Sequence, residues 1–115
     1  MINCTGLGSR WFVNDLNVHP VRGQVIRVKA PWVNYCLMLD YETTYILPLD
    51  DVVVLGGTQN LDVYDLNVNE NDCDEIIERC SKLVPSLKKA EIVKKASGLR
   101  PLRSNGILNY IIYKK

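Results

Sequence analysis

The residues best equipped for chemistry in this 115-residue chain are two arginines, Arg100 and Arg103, set around a proline in "SGLRPLR" (97–103). A guanidinium stays charged and can meet a carboxylate through two parallel N–H donors, provided something fixes its position. Pro101 removes a donor and restricts Arg100 toward extended backbone, just after a segment that reads as a strand. Arginines in such places are more often solvated surface groups than ligand clamps, so the pair alone names no ligand. Tyr41 and Tyr45 bracket a turn entering "TTYILP". Each can offer a hydroxyl to a carboxylate while its ring walls a pocket, although a tyrosine on a sheet is usually packing.

Two glycine motifs offer room rather than reactivity. "TGLGS" (5–9) places a Gly-x-Gly after a strand, where backbone could approach a cofactor phosphate or adenosine. The third glycine of a complete G-x-G-x-x-G is replaced by Trp11, so a plain tight turn is the better reading of the residues themselves. "GGT" (56–58) ends a strand, where glycines turn the chain and also leave space for a flat ligand. His19, beside Pro20, reads as a satisfied or exposed loop histidine. A Ser-His-Asp set, a carboxylate pair and a P-loop are all missing, so hydrolase and kinase chemistry lack their parts.

The composition narrows the class further. A chain of this length is one small domain, and 47% apolar with 23% charged residues is ordinary globular usage. The net charge of +1 argues against a nucleic-acid partner, which would show a clustered basic excess. No run approaches the roughly twenty apolar residues of a membrane span, and the first ten residues do not read as a secretory signal. Cys4, Cys36, Cys73 and Cys80 are scattered without C-x-x-C spacing and His19 is the sole histidine, which disfavours structural zinc. Cys73 and Cys80 lie two helical turns apart, about 10 Å, too far for a disulfide, and read as buried small hydrophobes in a reduced compartment.

These side chains must be positioned by an α+β arrangement: a mixed, mostly antiparallel sheet with one principal helix. "MIN" reads as a strand tail entering the "CTGLGSR" loop. "HPVRGQVIRVKAP" alternates Ile26, Val28 and Ala30 against Arg27 and Lys29, as a half-buried strand does. "WVNYCLMLDY" and "TTYILP" read as two further strands, and "DDVVVLGG" as one covered on both faces. The period then changes. Cys73, Ile76, Ile77, Cys80 and Leu83 form a helical stripe, capped by Asn69 or Asn71 and closed by Pro85. "AEIVKKASG" favours another strand, bounded by Gly98. The tail "GILNYIIYKK" fits either a last strand or none.

Taken together, "NCTGLGSR", "PVRGQVIRVKAPW", "TYILP", "VVLGGT" and "GLRPLR" resemble the middle-to-late part of the D-amino-acid oxidase and D-aspartate oxidase family, in family order from residue 2 to about residue 103. The first block and "APWV" resemble the D-aspartate branch more closely. The resemblance implies an FAD flavoprotein with a cofactor part and a substrate part. Such an enzyme converts a D-amino acid and oxygen to an imino acid, then a 2-oxo acid and ammonia, with hydrogen peroxide formed. It implies that Arg100 clamps the substrate carboxylate, that the Tyr45 hydroxyl meets the same group, and that Tyr41 is an active-site tyrosine. Thr5 and Gly6 would lie in the loop beside the flavin dinucleotide, with Arg103 in a supporting place. Residues 1–19 would then be a remnant of the FAD-binding part, 20–103 the substrate-domain sheet with a helix near 70–84, and 104–115 a divergent tail.

The departures from that pattern shape the expected function. Where the D-aspartate branch carries further arginines for the second carboxylate, Met38 and Gln59 stand here, and neither can neutralise an acid. A neutral D-amino acid is therefore at least as good a substrate as D-aspartate. The family's N-terminal glycine fingerprint and its glycine-rich flavin-covering segment are missing, so the chain alone is expected to be catalytically incomplete, with FAD binding a property of the full-length family. That family is peroxisomal, whereas this chain ends "YKK" without the targeting tripeptide, which places it in the cytoplasm if expressed as it stands. The alternative is a non-enzymatic domain that binds a carboxylate, or a protein partner covering the surface the cofactor half would occupy.

Overall fold

The computed structural model describes residues 4–39 and 43–104. The "MIN" strand tail, Tyr41 and nearly all of the tail beyond Arg103 lie outside the described residues.

The fold is α+β, and it is organised by one long strand, β1 (Val18–Lys29). Four further strands follow in chain order: β2 (Leu37–Met38), β3 (Tyr45–Pro48), β4 (Val53–Gly56) and β5 (Asn60–Leu61). The last among the described residues, β6, spans Glu91–Arg103. Val25 pairs with Gly56 on one side and Ala96 on the other, while Val21 pairs with Leu61 and Arg100. β4 and β5 therefore succeed each other along one edge of β1, and β6 runs antiparallel along the whole of the other. β2 and β3 extend the sheet beyond β4, and all these pairings are antiparallel.

Alternation along β1 sorts the two faces. Ile26 and Val28 point to a core completed by Ile46, Leu55 and, from the helix α2 (Glu70–Leu83), Cys73, Ile76 and Cys80. The helix starts where expected, because the Asn69 side chain accepts from the backbone N–H groups of Asn71 (2.9 Å) and Asp72 (3.3 Å). Glu70 and Asp72 in the first turn complement its dipole. Leu83, expected on the buried stripe, is partly exposed at the last turn. The 3₁₀ turn Pro85–Lys89 follows at once and buries Leu87 instead.

Polar residues extend the same inner face. Arg22 is only 4% exposed and Gln24 is fully buried, yet both are satisfied. Arg22 donates to the carbonyls of Asp65 (2.9 Å) and Asn67 (2.8 Å), to Asp72 (2.8 Å) and to Gln24 (2.7 Å). Gln24 in turn donates to the Asn69 carbonyl at 2.7 Å. The connection 62–69 lacks regular structure, and these bonds, with the Ser97 hydroxyl on the Leu66 carbonyl and His19 on Asp62, tie it to the sheet.

Four expectations need correction. "CTGLGSR" is not a plain strand-to-loop passage: Gly6–Gly8 form a 3₁₀ turn that runs into a one-turn helix, α1 (Ser9–Phe12). Among the described residues of "WVNYCLMLDY" only Leu37 and Met38 pair. β5 was not legible, since two residues carry no period. Gly98 does not end its strand, and "SGLRPLR" lies inside β6 rather than after it. The physical reason is register. Pro101 stands opposite Pro20, whose carbonyl accepts from Asp62 N–H on the β5 side. The polar backbone groups of both prolines thus point away from their shared ladder, and neither missing N–H interrupts it.

Candidate functional site

The face of the sheet opposite α2 carries the site. Arg100 enters from β6 opposite Val21, and its guanidinium folds over Gly23, one pleat along β1. A Cβ at position 23 would sit 2.2 Å from Arg100 Nη1 and 2.5 Å from Cζ, so only glycine leaves this seat free. Arg100 Nη1 donates to the Thr58 carbonyl at 3.3 Å, and the residue stays exposed.

Tyr45 repeats the arrangement on β3. Its register partner is Gly56, and its ring lies where a Gly56 Cβ would otherwise be, 2.0 Å from the ring Cζ. The hydroxyl oxygen would be 3.1 Å from a Cβ at Gly57. Both side chains thus rest on glycine backbone and flank the segment 56–58. That segment is well held. Thr58 Oγ1 accepts from Gln24 N–H at 2.9 Å, and the Gly57 carbonyl accepts from the Thr43 hydroxyl at 2.8 Å and from Arg79 Nη2 at 2.7 Å.

Arg100 and Tyr45 line one open cleft of about 510 Å³. Met38, directly opposite Tyr45 in register, and Gln59 line the same cleft, as does Thr43. Among the described lining residues Arg100 is the one that carries charge, and the remaining wall is mostly apolar. A compact anion with a small uncharged remainder matches that chemistry: guanidinium and phenol donors for the anion, aliphatic surface for the rest.

The glycine loop lies behind Pro101, a residue of the cleft wall. Gly6 has φ +52°, in the left-handed region that favours glycine, and a Cβ there would lie 3.9 Å from Pro101 Cγ. Thr5, exposed, precedes it. The loop is braced by the Ser9 hydroxyl on the Gly6 carbonyl (2.9 Å) and by Arg10, which donates to the carbonyls of Leu16 (3.2 Å) and Val18 (2.6 Å). The loop meets Pro101, part of the cleft wall, at this glycine. It is not a pyrophosphate cradle: Gly8 N–H is already bonded to the Thr5 carbonyl at 2.8 Å, and α1 has a single turn. Arg103 turns away from the cleft to pair with Asp15 at 3.3 Å.

Other candidates have structural partners. His19 Nδ1 lies 2.8 Å from Asp62 Oδ1. Cys73 and Cys80 are free and buried. Burial pushes the Cys80 thiol up to about 11. It also raises that of Cys73 against the opposing pull of Lys95. Sequence reasoning missed Gly23, Thr43 and Arg79, and it read Gly56 of "GGT" as room for a flat ligand where the structure seats the Tyr45 ring on it. A glycine inside an alternating strand signals close approach of another group, so "VRGQV" held a usable clue to Gly23. Arg79 had none, being one more charge off the helical stripe.

A family model described as "FAD dependent oxidoreductase" matches residues 1–114. The chain is 42% identical over 106 residues to "D-amino acid oxidase" of Dugesia ryukyuensis, covering 91% of this chain and 31% of that protein. It is also 42% identical over 103 residues to "D-aspartate oxidase" of Homo sapiens, covering 90% of this chain and 30% of that protein. Glycine oxidase from Geobacillus kaustophilus superposes with a TM-score of 0.75 at 27% identity, over 85% of this chain and 27% of that one. The chain therefore spans about 30% of the length of the curated relatives it matches.

Proposed function

The chain belongs to the family of FAD-dependent oxidoreductases that includes the D-amino-acid and D-aspartate oxidases, and from that premise we propose that its cleft binds the carboxylate of a D-amino acid with an uncharged side chain. The observation that carries this reading is the convergence of Arg100 and Tyr45 on one cleft, each seated on a glycine, with Arg100 the one charged residue among the described lining.

The reaction removes a hydride from Cα and a proton from the α-amino group, leaving an imino acid that water hydrolyses to a 2-oxo acid and ammonia. Dioxygen accepts the electron pair with two protons and leaves as hydrogen peroxide. Bound FAD supplies the hydride acceptor, with Thr5 and Gly6 as the residues here that would lie along it. What this chain contributes is orientation. Arg100 donates two N–H groups to the carboxylate and Tyr45 adds its hydroxyl, which fixes the carboxylate end of the substrate and leaves Cα presented. No strong base is required for that task. The apolar wall and the neutral Met38 and Gln59 favour a short uncharged side chain, because a second carboxylate would lie there without a cation. The chain by itself is expected to turn nothing over.

The test is binding and turnover on the purified chain. D-alanine, D-aspartate and D-alaninamide are titrated by NMR shift perturbation with FAD present, flavin fluorescence is followed, and peroxide is assayed alongside. The expected result is carboxylate-dependent binding that ranks D-alanine first, is lost in Arg100→Met, and comes without peroxide. Equal binding of D-alanine and D-alaninamide would remove the carboxylate-site reading. Preference for D-aspartate would overturn the neutral specificity.

A further inference from the structure

We propose that Arg79, reaching across from α2, is a positioning residue for this cleft: it fixes the Gly57 carbonyl and the Thr43 hydroxyl and thereby sets the seat of the Tyr45 hydroxyl. The inference rests on the carboxylate-binding reading of the cleft and adds a residue that does not line it.

Arg79 leaves the helix on the side of the β4 end; its Nε donates back to the Glu75 carbonyl one turn earlier at 3.4 Å, and its two terminal nitrogens reach other elements. Nη2 donates to the Gly57 carbonyl at 2.7 Å and Nη1 to Thr43 Oγ1 at 3.2 Å. The Thr43 hydroxyl donates a hydrogen bond to the same Gly57 carbonyl at 2.8 Å. A carbonyl oxygen has two lone pairs, and here both are occupied, one by a charge-assisted donor. The Gly57 peptide is therefore clamped in orientation. The Tyr45 hydroxyl rests against that glycine, in contact distance of any atom placed on its Cα.

The next peptide continues the connection. Thr58 is tied by its hydroxyl to Gln24 N–H at 2.9 Å and by its carbonyl to Arg100 Nη1 at 3.3 Å. Arg79, Gly57, Thr58 and Arg100 thus form one short sequence of contacts from the helical layer to the clamp. Both proposed carboxylate donors lean on the strap 56–58, and Arg79 is what holds that strap from behind. An ordinary helix-surface charge behaves differently: Lys82 on the same helix only meets Glu78 one turn away, with both side chains solvated. Lysine could not substitute fully for Arg79, since it is a compact point charge that cannot present a planar fork to two separated acceptors.

The experiment compares D-alanine with D-alaninamide, which shares the amine and methyl group but has no carboxylate. Both are titrated by NMR into the full 115-residue chain with FAD present. The proteins are the natural chain, Arg79→Met, Arg79→Lys, Thr43→Val and the pair Arg79→Met/Thr43→Val. Arg79→Met is expected to weaken D-alanine on the order of tenfold to a hundredfold, as displaced reacting groups do, and to leave D-alaninamide unchanged. Arg79→Lys recovers part of the loss. Thr43→Val costs little more once Arg79 is gone, because both act on one carbonyl. A folded Arg79→Met that binds D-alanine like the natural chain overturns the proposal, as does equal loss of both ligands. If Arg79→Met does not fold, Arg79→Lys decides alone: unchanged D-alanine affinity overturns it, selective weakening supports it. A natural chain that fails to prefer D-alanine over D-alaninamide overturns the carboxylate reading itself, an outcome seen before any variant is compared.

Discussion

Gly23→Ala isolates the seat of the clamp from the clamp itself. The added methyl would lie 2.2 Å from Arg100 Nη1, while ordinary contact begins at 3.4 Å. The guanidinium must therefore retreat by about 1.2 Å, on the scale at which misplacement costs up to roughly a hundredfold in a positioned reaction. The backbone has no reason to resist, since Gly23 is not in the left-handed region and alanine is the better strand residue by about 0.5–1 kcal/mol. The retreating group is the far end of a flexible side chain, so the fold survives while the bidentate geometry is lost. Forfeiting one hydrogen bond to a charged group, about 1.5–3 kcal/mol, weakens D-alanine roughly ten- to a hundredfold. Gly98→Ala is the internal control. It is the register partner of Gly23, yet a Cβ there meets nothing within 4 Å. NMR titration of D-alanine into the two variants, with urea unfolding alongside, reads both effects. If Gly23→Ala binds D-alanine as the natural chain and Gly98→Ala do, Arg100 is not held where it acts and the clamp argument fails.

Three further outcomes follow from the same geometry. Arg22→Met leaves Asp72 and the carbonyls of Asp65 and Asn67 without their buried donor, so urea unfolding should register a loss of about 3–5 kcal/mol; a loss below about 1 kcal/mol would mean that water replaces the guanidinium freely. Burial raises the Cys80 thiol from 9.0 to about 11. Stability from that thiol is therefore complete below pH 9 and falls as pH climbs toward 11, by up to about 2–3 kcal/mol. Cys80→Ala should flatten that part of the pH–stability profile, and an unaltered profile would refute the assignment. Met38→Arg places a cation opposite Tyr45 in the cleft and should raise the D-aspartate to D-alanine affinity ratio about tenfold or more; an unchanged ratio would show that the substrate side chain does not reach β2.

The sequence by itself determined the elements whose periods are long enough to repeat. Alternation over Ile26 to Ala30 and the stripe from Cys73 to Cys80 each state a period several times over. Asn69 and Pro85 mark the helix ends by local chemistry that needs no tertiary partner. The candidates Arg100 and Tyr45 were also legible, through motif resemblance. The tertiary structure alone decided how those two are held. Arg100 sits inside a strand because Pro20 and Pro101 fall in register with their backbone polar groups turned outward, a relation between distant residues that no local pattern encodes. Gly23 and Gly56 matter as the absence of side chains under someone else's guanidinium and phenol. Arg79 matters through two acceptors contributed by other elements. Such roles come from the pairing of strands and the docking of the helix, and a one-dimensional sequence records a residue's type without recording what folding brings beside it.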